Sequence, residues 1–180
     1  MMNSILTINL DYRKMNRYRA LTTLLILIVS SCIGCTTIKK QGVDANFEII
    51  TSDYINPDNN KESRPLNISL YYLADSEEFL KADYFDLFQT EADPLSGSLL
   101  QKSNILVLPN KHQVHSEEVP ENVRAIGVIF QFRNLNKSQW RAVIDTPETC
   151  LLGYNCKSIL HNSKIFISID ELNTKIKLVD

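Results

Sequence analysis

Leu66-Asn67-Ile68-Ser69-Leu70-Tyr71-Tyr72-Leu73 alternates so regularly that Leu66, Ile68, Leu70 and Tyr72 must share one face of a β-strand. A second run, Val123 to Phe132, puts Ile126, Val128, Phe130 and Phe132 on one face and Ala125, Gly127 and Ile129 on the other. Apolar residues on both faces predict a central place in a sheet. Around these two runs lie shorter strand signals: Phe47 to Thr51, Asn104 to Leu108 ended by Pro109, Trp140 to Ile144, Lys164 to Ile169, and Lys175 to Leu178 with Ile176 and Leu178 inward. Lys111 to Glu118 is polar enough to predict an edge strand, after which Pro120-Glu121-Asn122 turns the chain. Between Leu73 and Asn104 the period changes. Asp75-Ser76-Glu77-Glu78 carries a capping pattern, and the spacing of Phe79, Tyr84, Phe85 and Phe88 predicts one or two short helices across 76–90 that pack on the sheet. Seven or eight short strands with one helical insertion after the second predict an all-β chain, an antiparallel two-sheet β-sandwich, with a barrel as the second choice.

The start of the chain is of another kind. Arg17 and Arg19 precede an apolar run from Ala20 to Val29, which ends in Ser30-Ser31-Cys32. Ten residues make roughly 15 Å of helix, half of what a bilayer's hydrocarbon core requires, so the run reads as an export signal and not as a membrane span. Val29-Ser30-Ser31 gives the branched-small-small order that precedes a lipidated cysteine, which favours Cys32 over the alternative, Cys35. A thiolate there can take diacylglycerol, and two or three acyl chains make desorption from a membrane very slow where one would hold only marginally. The expected organisation is a lipoprotein signal over 1–31, with Met15 as a possible true start, a lipidated tether over 32–45, and a folded domain over 46–180. Ile33 after Cys32 predicts sorting to the outer membrane, with the domain facing the periplasm.

Removing residues 1–31 takes four of the 19 basic and one of the 21 acidic residues, leaving 15 and 20, a net charge of −5. That balance argues against nucleic acid and anionic headgroups as partners. Cys150 and Cys156 are disulfide candidates in an oxidising compartment; two unpaired thiols are the other possibility, and a metal site is disfavoured because no His or Asp stands at ligand spacing. His112 and His115 fall on opposite faces of their strand, and no nucleophile elbow, metalloprotease helix or phosphate-cradling glycine loop is present. Glu77-Glu78 and Glu117-Glu118 read as solvated pairs, and Trp140-Arg141 as packing more than as an interface pair. No cofactor is called for, and a non-enzymatic role is expected.

Ile55-Asn56-Pro57-Asp58 with Arg64-Pro65 stands ahead of Tyr71-Tyr72-Leu73, followed by Phe79 to Leu87, Leu106-Val107-Leu108-Pro109, Ile126 to Phe130, and Trp140-Arg141. In this order the segments together resemble the TssJ (VasD/SciN) family of type VI secretion lipoproteins. The likeness runs over roughly 47–145 and fades beyond Asp145. It implies a transthyretin-like sandwich on an outer-membrane lipoprotein that docks the periplasmic C-terminal domain of the inner-membrane subunit TssM. The family's contact is the loop between the first two strands, here Ser52 to Pro65, and the matching positions are Asn56, Pro57, Asp58 and Arg64. From the residues alone, that loop reads equally as a binding element or as a plain turn with a solvated Arg64. The runner-up function is a periplasmic lipoprotein that carries a small apolar ligand.

Overall fold

The computed structural model describes residues 42–88, 94–95, 97–151, 154–158, 160 and 163–179. Cys32, Cys35, the signal, most of the tether and His161 lie outside the described residues. The strands are β1 (Gly42–Ile55), β2 (Leu66–Leu73), β3 (Leu99–Val107), β4 (His112–Pro120), β5 (Ala125–Phe130), β6 (Arg141–Asp145), β7 (Glu148–Leu151), β8 (Tyr154–Ser158), β9 (Lys164–Glu171) and β10 (Asn173–Val179). One sheet has the order β10-β9-β1-β4, the other β3-β2-β5-β6, and β7-β8 forms a separate hairpin. Helix α1 (Glu77–Lys81) and a 3-10 turn (Asp86–Phe88) make the insertion between β2 and β3.

Leu66, Ile68, Leu70 and Tyr72 of β2 all point into the layer between the sheets, where they meet Phe47 and Ile49 of β1, Ile126, Val128 and Phe130 of β5, and Ile165 and Ile167 of β9. The other face of β2 and β5 is apolar for a separate reason: Tyr71, Leu73, Ala125 and Ile129 are covered by Phe79, Leu87 and Leu95 from the insertion. Gly127 of β5 lies directly beneath Phe79, whose ring atoms would stand 2.6–2.8 Å from any Cβ added there. The helix is short enough to need anchoring. Asp75 accepts the Glu77 N–H at 2.7 Å, and Arg141 donates to the carbonyls of Phe79 and Ala82 at 3.0 and 2.8 Å, satisfying two acceptors near the helix end. Arg141 also stacks over Trp140 at 4.7 Å, so this pair holds the insertion to the sheet.

Four features depart from expectation. β1 starts at Gly42 and runs to Ile55, so Gly42 to Ala45, expected in the tether, instead pair with Glu117 to Pro120 of β4, with Ala45 fully buried. The polar connection is correspondingly shorter, Asn56 to Pro65, because β1 runs on past Thr51: the Ser52 carbonyl accepts the Asn110 N–H at 2.8 Å and Ile55 pairs with Glu171 of β9. β1 and β9 pair in parallel while the other pairings among the described residues are antiparallel; alternation along a strand says which face is buried, not which neighbour it takes. Phe85, expected to pack the insertion on the sheet, is 68 % exposed, and Phe88 is 39 % exposed.

Cys150 lies on β7 and Cys156 on β8, between the paired positions Thr149↔Lys157 and Leu151↔Tyr154. Their side chains lie outside what the structure describes. Among the described residues no helix is long and apolar enough to cross a membrane.

Candidate functional site

The connection after β1 is held from three directions. Asn56 is only 3 % exposed; its amide donates to the Pro65 carbonyl at 2.8 Å and its side-chain oxygen accepts the Arg133 N–H at 2.9 Å. Its own N–H donates to the Glu171 carbonyl at 3.0 Å. A single side chain thus joins the β1–β2 loop to the β5–β6 loop, and its backbone joins both to the β9–β10 turn. Ser63 closes the neck of the loop, accepting the Ile55 N–H at 2.9 Å and donating to the Ile55 carbonyl at 3.0 Å.

Inside the loop, Asp58 is the organising residue. One carboxylate oxygen accepts the N–H groups of Asn60 and Glu62 at 2.9 and 3.0 Å, while the other takes Arg64 Nε and Nη2 at 2.9 and 2.6 Å. Arg64 also reaches Glu62 at 2.5 Å. The hydrogen bond from the Glu62 N–H, and after it the Arg64 guanidinium, holds the Asp58 carboxyl below the ordinary value of 3.8. Because the folded value is lowered, the stabilisation is complete above the unfolded value and is lost as pH falls through the folded one. The amide resonances of Asn60 and Glu62 should therefore titrate together with a midpoint below 3.8, and this titration should vanish in Asp58→Asn. A midpoint at or above that value would contradict the loop geometry.

Of the four positions singled out from sequence, Asn56 is a buried brace, unable to reach a partner, and Asp58 is turned into the loop, while Pro57 and Arg64 are accessible at the rim. Beside them opens a groove of about 710 Å³. The β1–β2 loop supplies Pro57, Asp58 and Lys61; the insertion supplies Phe85; the β5–β6 loop supplies Arg133, Leu135 and Lys137; the β9–β10 turn supplies Glu171. Lys61, Phe85, Arg133, Leu135, Lys137 and Glu171 were not legible as site residues, because four segments far apart in sequence meet only at this end of the sandwich.

Elsewhere, His112 pairs with Glu48 at 3.0 Å and His115 stands 3.5 Å from Glu117, on different faces of β4. Tyr72, buried in the core, donates to Glu117, which also accepts from Ser103 at 2.7 Å. Burial first, and then the Glu117 carboxylate, push the Tyr72 phenol far above its ordinary value, so it stays a neutral donor. Among the described residues no group of three or more His, Cys, Asp or Glu is placed to hold a metal.

A family model described as type VI secretion lipoprotein, VasD, EvfM, TssJ, matches residues 43–172, so the likeness extends well past Asp145 and does not fade there. The fold is similar to that of the type VI secretion lipoprotein TssJ1 from Pseudomonas aeruginosa, with a TM-score of 0.65 and 22 % identity, covering 77 % of this chain and 98 % of that one. It is also similar to Serratia marcescens Lip, a membrane-bound component of the type VI secretion system, with a TM-score of 0.62 and 18 % identity over 74 % and 96 % of the two chains. A chain of the structure described as the TssM C-terminal domain from EAEC matches with a TM-score of 0.56 and 17 % identity, over 74 % and 97 %. No curated protein matches the chain by sequence.

Proposed function

The chain belongs to the type VI secretion lipoprotein family, and from that premise we propose that it is a non-catalytic adaptor of the secretion system's membrane complex. In this reading, acyl chains on Cys32 hold it at the outer membrane, and the sandwich faces the periplasm. The end built around the β1–β2 loop docks the periplasmic C-terminal domain of TssM. The observation that carries the docking half is the bracing of Asn56 to Pro65: a loop fixed by Asn56, Asp58 and Ser63 loses little freedom on association, so more of the contact energy remains as affinity. A carrier of a small apolar ligand would need an apolar cavity between the sheets or beside the helical insertion; the first is occupied by Phe47, Leu70, Tyr72 and Phe130, and Phe79, Leu87 and Leu95 pack the face beneath the insertion.

Two measurements test the two halves. Cys32→Ser should move the full chain out of the outer-membrane fraction; retention there with no acyl mass on the wild type would remove the anchor. For docking, the full lipidated chain in detergent is titrated onto the immobilised TssM periplasmic domain. Arg64→Ala should weaken binding about tenfold, on the scale of truncating an interface Arg, with the far-ultraviolet circular dichroism unchanged. Wild-type affinity in both Arg64→Ala and Pro57→Ala would displace the loop from the interface.

A further inference from the structure

The groove beside the loop has a charge opposite to that of the chain that carries it. The whole chain has a net charge of −2, yet Lys61, Arg133 and Lys137 line this groove with exposed side chains, and no carboxylate among the described residues pairs with any of them. The acidic side of the lining is weaker. Asp58 is already neutralised by Arg64, leaving Glu171 as the one lining carboxylate without a cationic partner. At the edge of these cations stands Phe85, the most exposed aromatic ring of the described residues, propped from behind by Tyr84 at 5.3 Å, edge to face. Tyr84 in turn rests on Trp140, also edge to face at 5.3 Å, so the exposed ring is mounted on a rigid stack that ends in the sheet.

The backbone of this end is also unusual. Of the four non-glycine residues with positive φ among the described residues, three belong to it: Asn56 at 46°, Lys61 at 63° and Glu171 at 52°. Asn tolerates that region, but a Lys or Glu does so against its Cβ, and such conformations collect where a binding geometry is held in place.

Resting on the adaptor reading above, we propose that this groove is the docking surface for an acidic segment of the protein partner, one that seats an apolar side chain against Phe85 and Leu135 while its carboxylates meet Lys61, Arg133 and Lys137. Charge complementarity selects the occupant. An exposed ring beside three unpaired cations suits a short peptide strand with alternating acidic and apolar side chains, whereas three cations alone give weak adsorption to an anionic bilayer. The cations set the rate of encounter and its salt dependence; the ring supplies the desolvated anchor.

The test uses the full lipidated chain in detergent and the TssM periplasmic domain as the probe. Binding of the wild type should weaken severalfold between about 50 and 500 mM salt. The triple change Lys61→Glu, Arg133→Glu, Lys137→Glu should reduce affinity by about ten- to a hundredfold, and Phe85→Ala by about tenfold. Lys175→Glu, exposed on β10 away from the groove, should bind as the wild type does. Wild-type binding that is indifferent to salt, to the triple reversal and to Phe85→Ala would overturn the groove while leaving the adaptor reading intact. Absence of wild-type binding would overturn both. Uptake by phosphatidylglycerol vesicles that is lost in the triple variant, with TssM binding unaffected by it, would assign the cations to lipid and overturn the proposal as well. All five substituted positions are exposed, and the salt titration needs no variant.

Discussion

Phe79→Ala is expected to destabilise the domain by about 3–5 kcal/mol, the range for removing a fully buried aromatic side chain. The ring is the element that makes the outer face of β2 and β5 a core: it lies over Gly127 and meets Tyr71 at a centroid separation of 5.2 Å. Removing it leaves a cavity that the backbone cannot close, because the helix is tied at one end by Asp75 and at the other by Arg141. At about 3 °C per kcal/mol for a domain of this size, the thermal midpoint should fall by ~10 °C or more. The same contact can be attacked from below. Gly127→Ala alone should destabilise by about 1–3 kcal/mol through overpacking against the ring. In the Phe79→Ala background that added methyl should cost nothing or stabilise, since it enters the vacated space. Additive losses in the double variant, measured by urea unfolding, would mean the two positions do not share this contact. Because Phe85 sits on the same insertion, Phe79→Ala should also weaken TssM binding, although residue 79 itself is buried.

Asn56→Ala should cost about 2–4 kcal/mol. Its loss removes the part-buried hydrogen bonds to the Pro65 carbonyl and from the Arg133 N–H, each worth about 0.5–1.5 kcal/mol net, and imposes on alanine a left-handed backbone that Asn tolerates better, at about 1 kcal/mol. Asn56→Gly separates these contributions: it relieves the backbone while losing both hydrogen bonds, so it should recover roughly 1 kcal/mol relative to alanine. Equal stability of the two variants would show that the φ of 46° contributes nothing. Binding should respond to both substitutions, since Asn56 sets the β1–β2 loop against the β5–β6 loop across the groove. A variant that loses stability and keeps full affinity for TssM would sever the brace from the site.

The two outcomes bear on how a position inherited from a family likeness should be interpreted. Asn56, Pro57, Asp58 and Arg64 were singled out together, yet they divide into a buried brace, a residue that orders the loop, and two that face outward. Asn56 acts by positioning; Pro57 and Arg64 are the ones a partner can touch. Phe85 moved in the opposite direction. Spacing places it with Phe79 and Phe88 as packing, but a helix of five residues ends at Lys81, and the following turn sends Phe85 outward. Length of the helix, which weak local signals do not set, decided which aromatic became core.

Period-two patterning by itself determined the buried faces of β2 and β5, the edge character of β4 and the two-sheet architecture, because strand side chains alternate whatever the strand pairs with. The same local chemistry indicated a capped helix near Asp75 and an apolar leader ahead of Cys32. The parallel pairing of β1 with β9, the contact of Phe79 with Gly127 and the assembly of the groove were decided only by tertiary structure. Each of these brings together residues separated by dozens of positions, and no periodicity along a chain encodes which distant segment will be its neighbour.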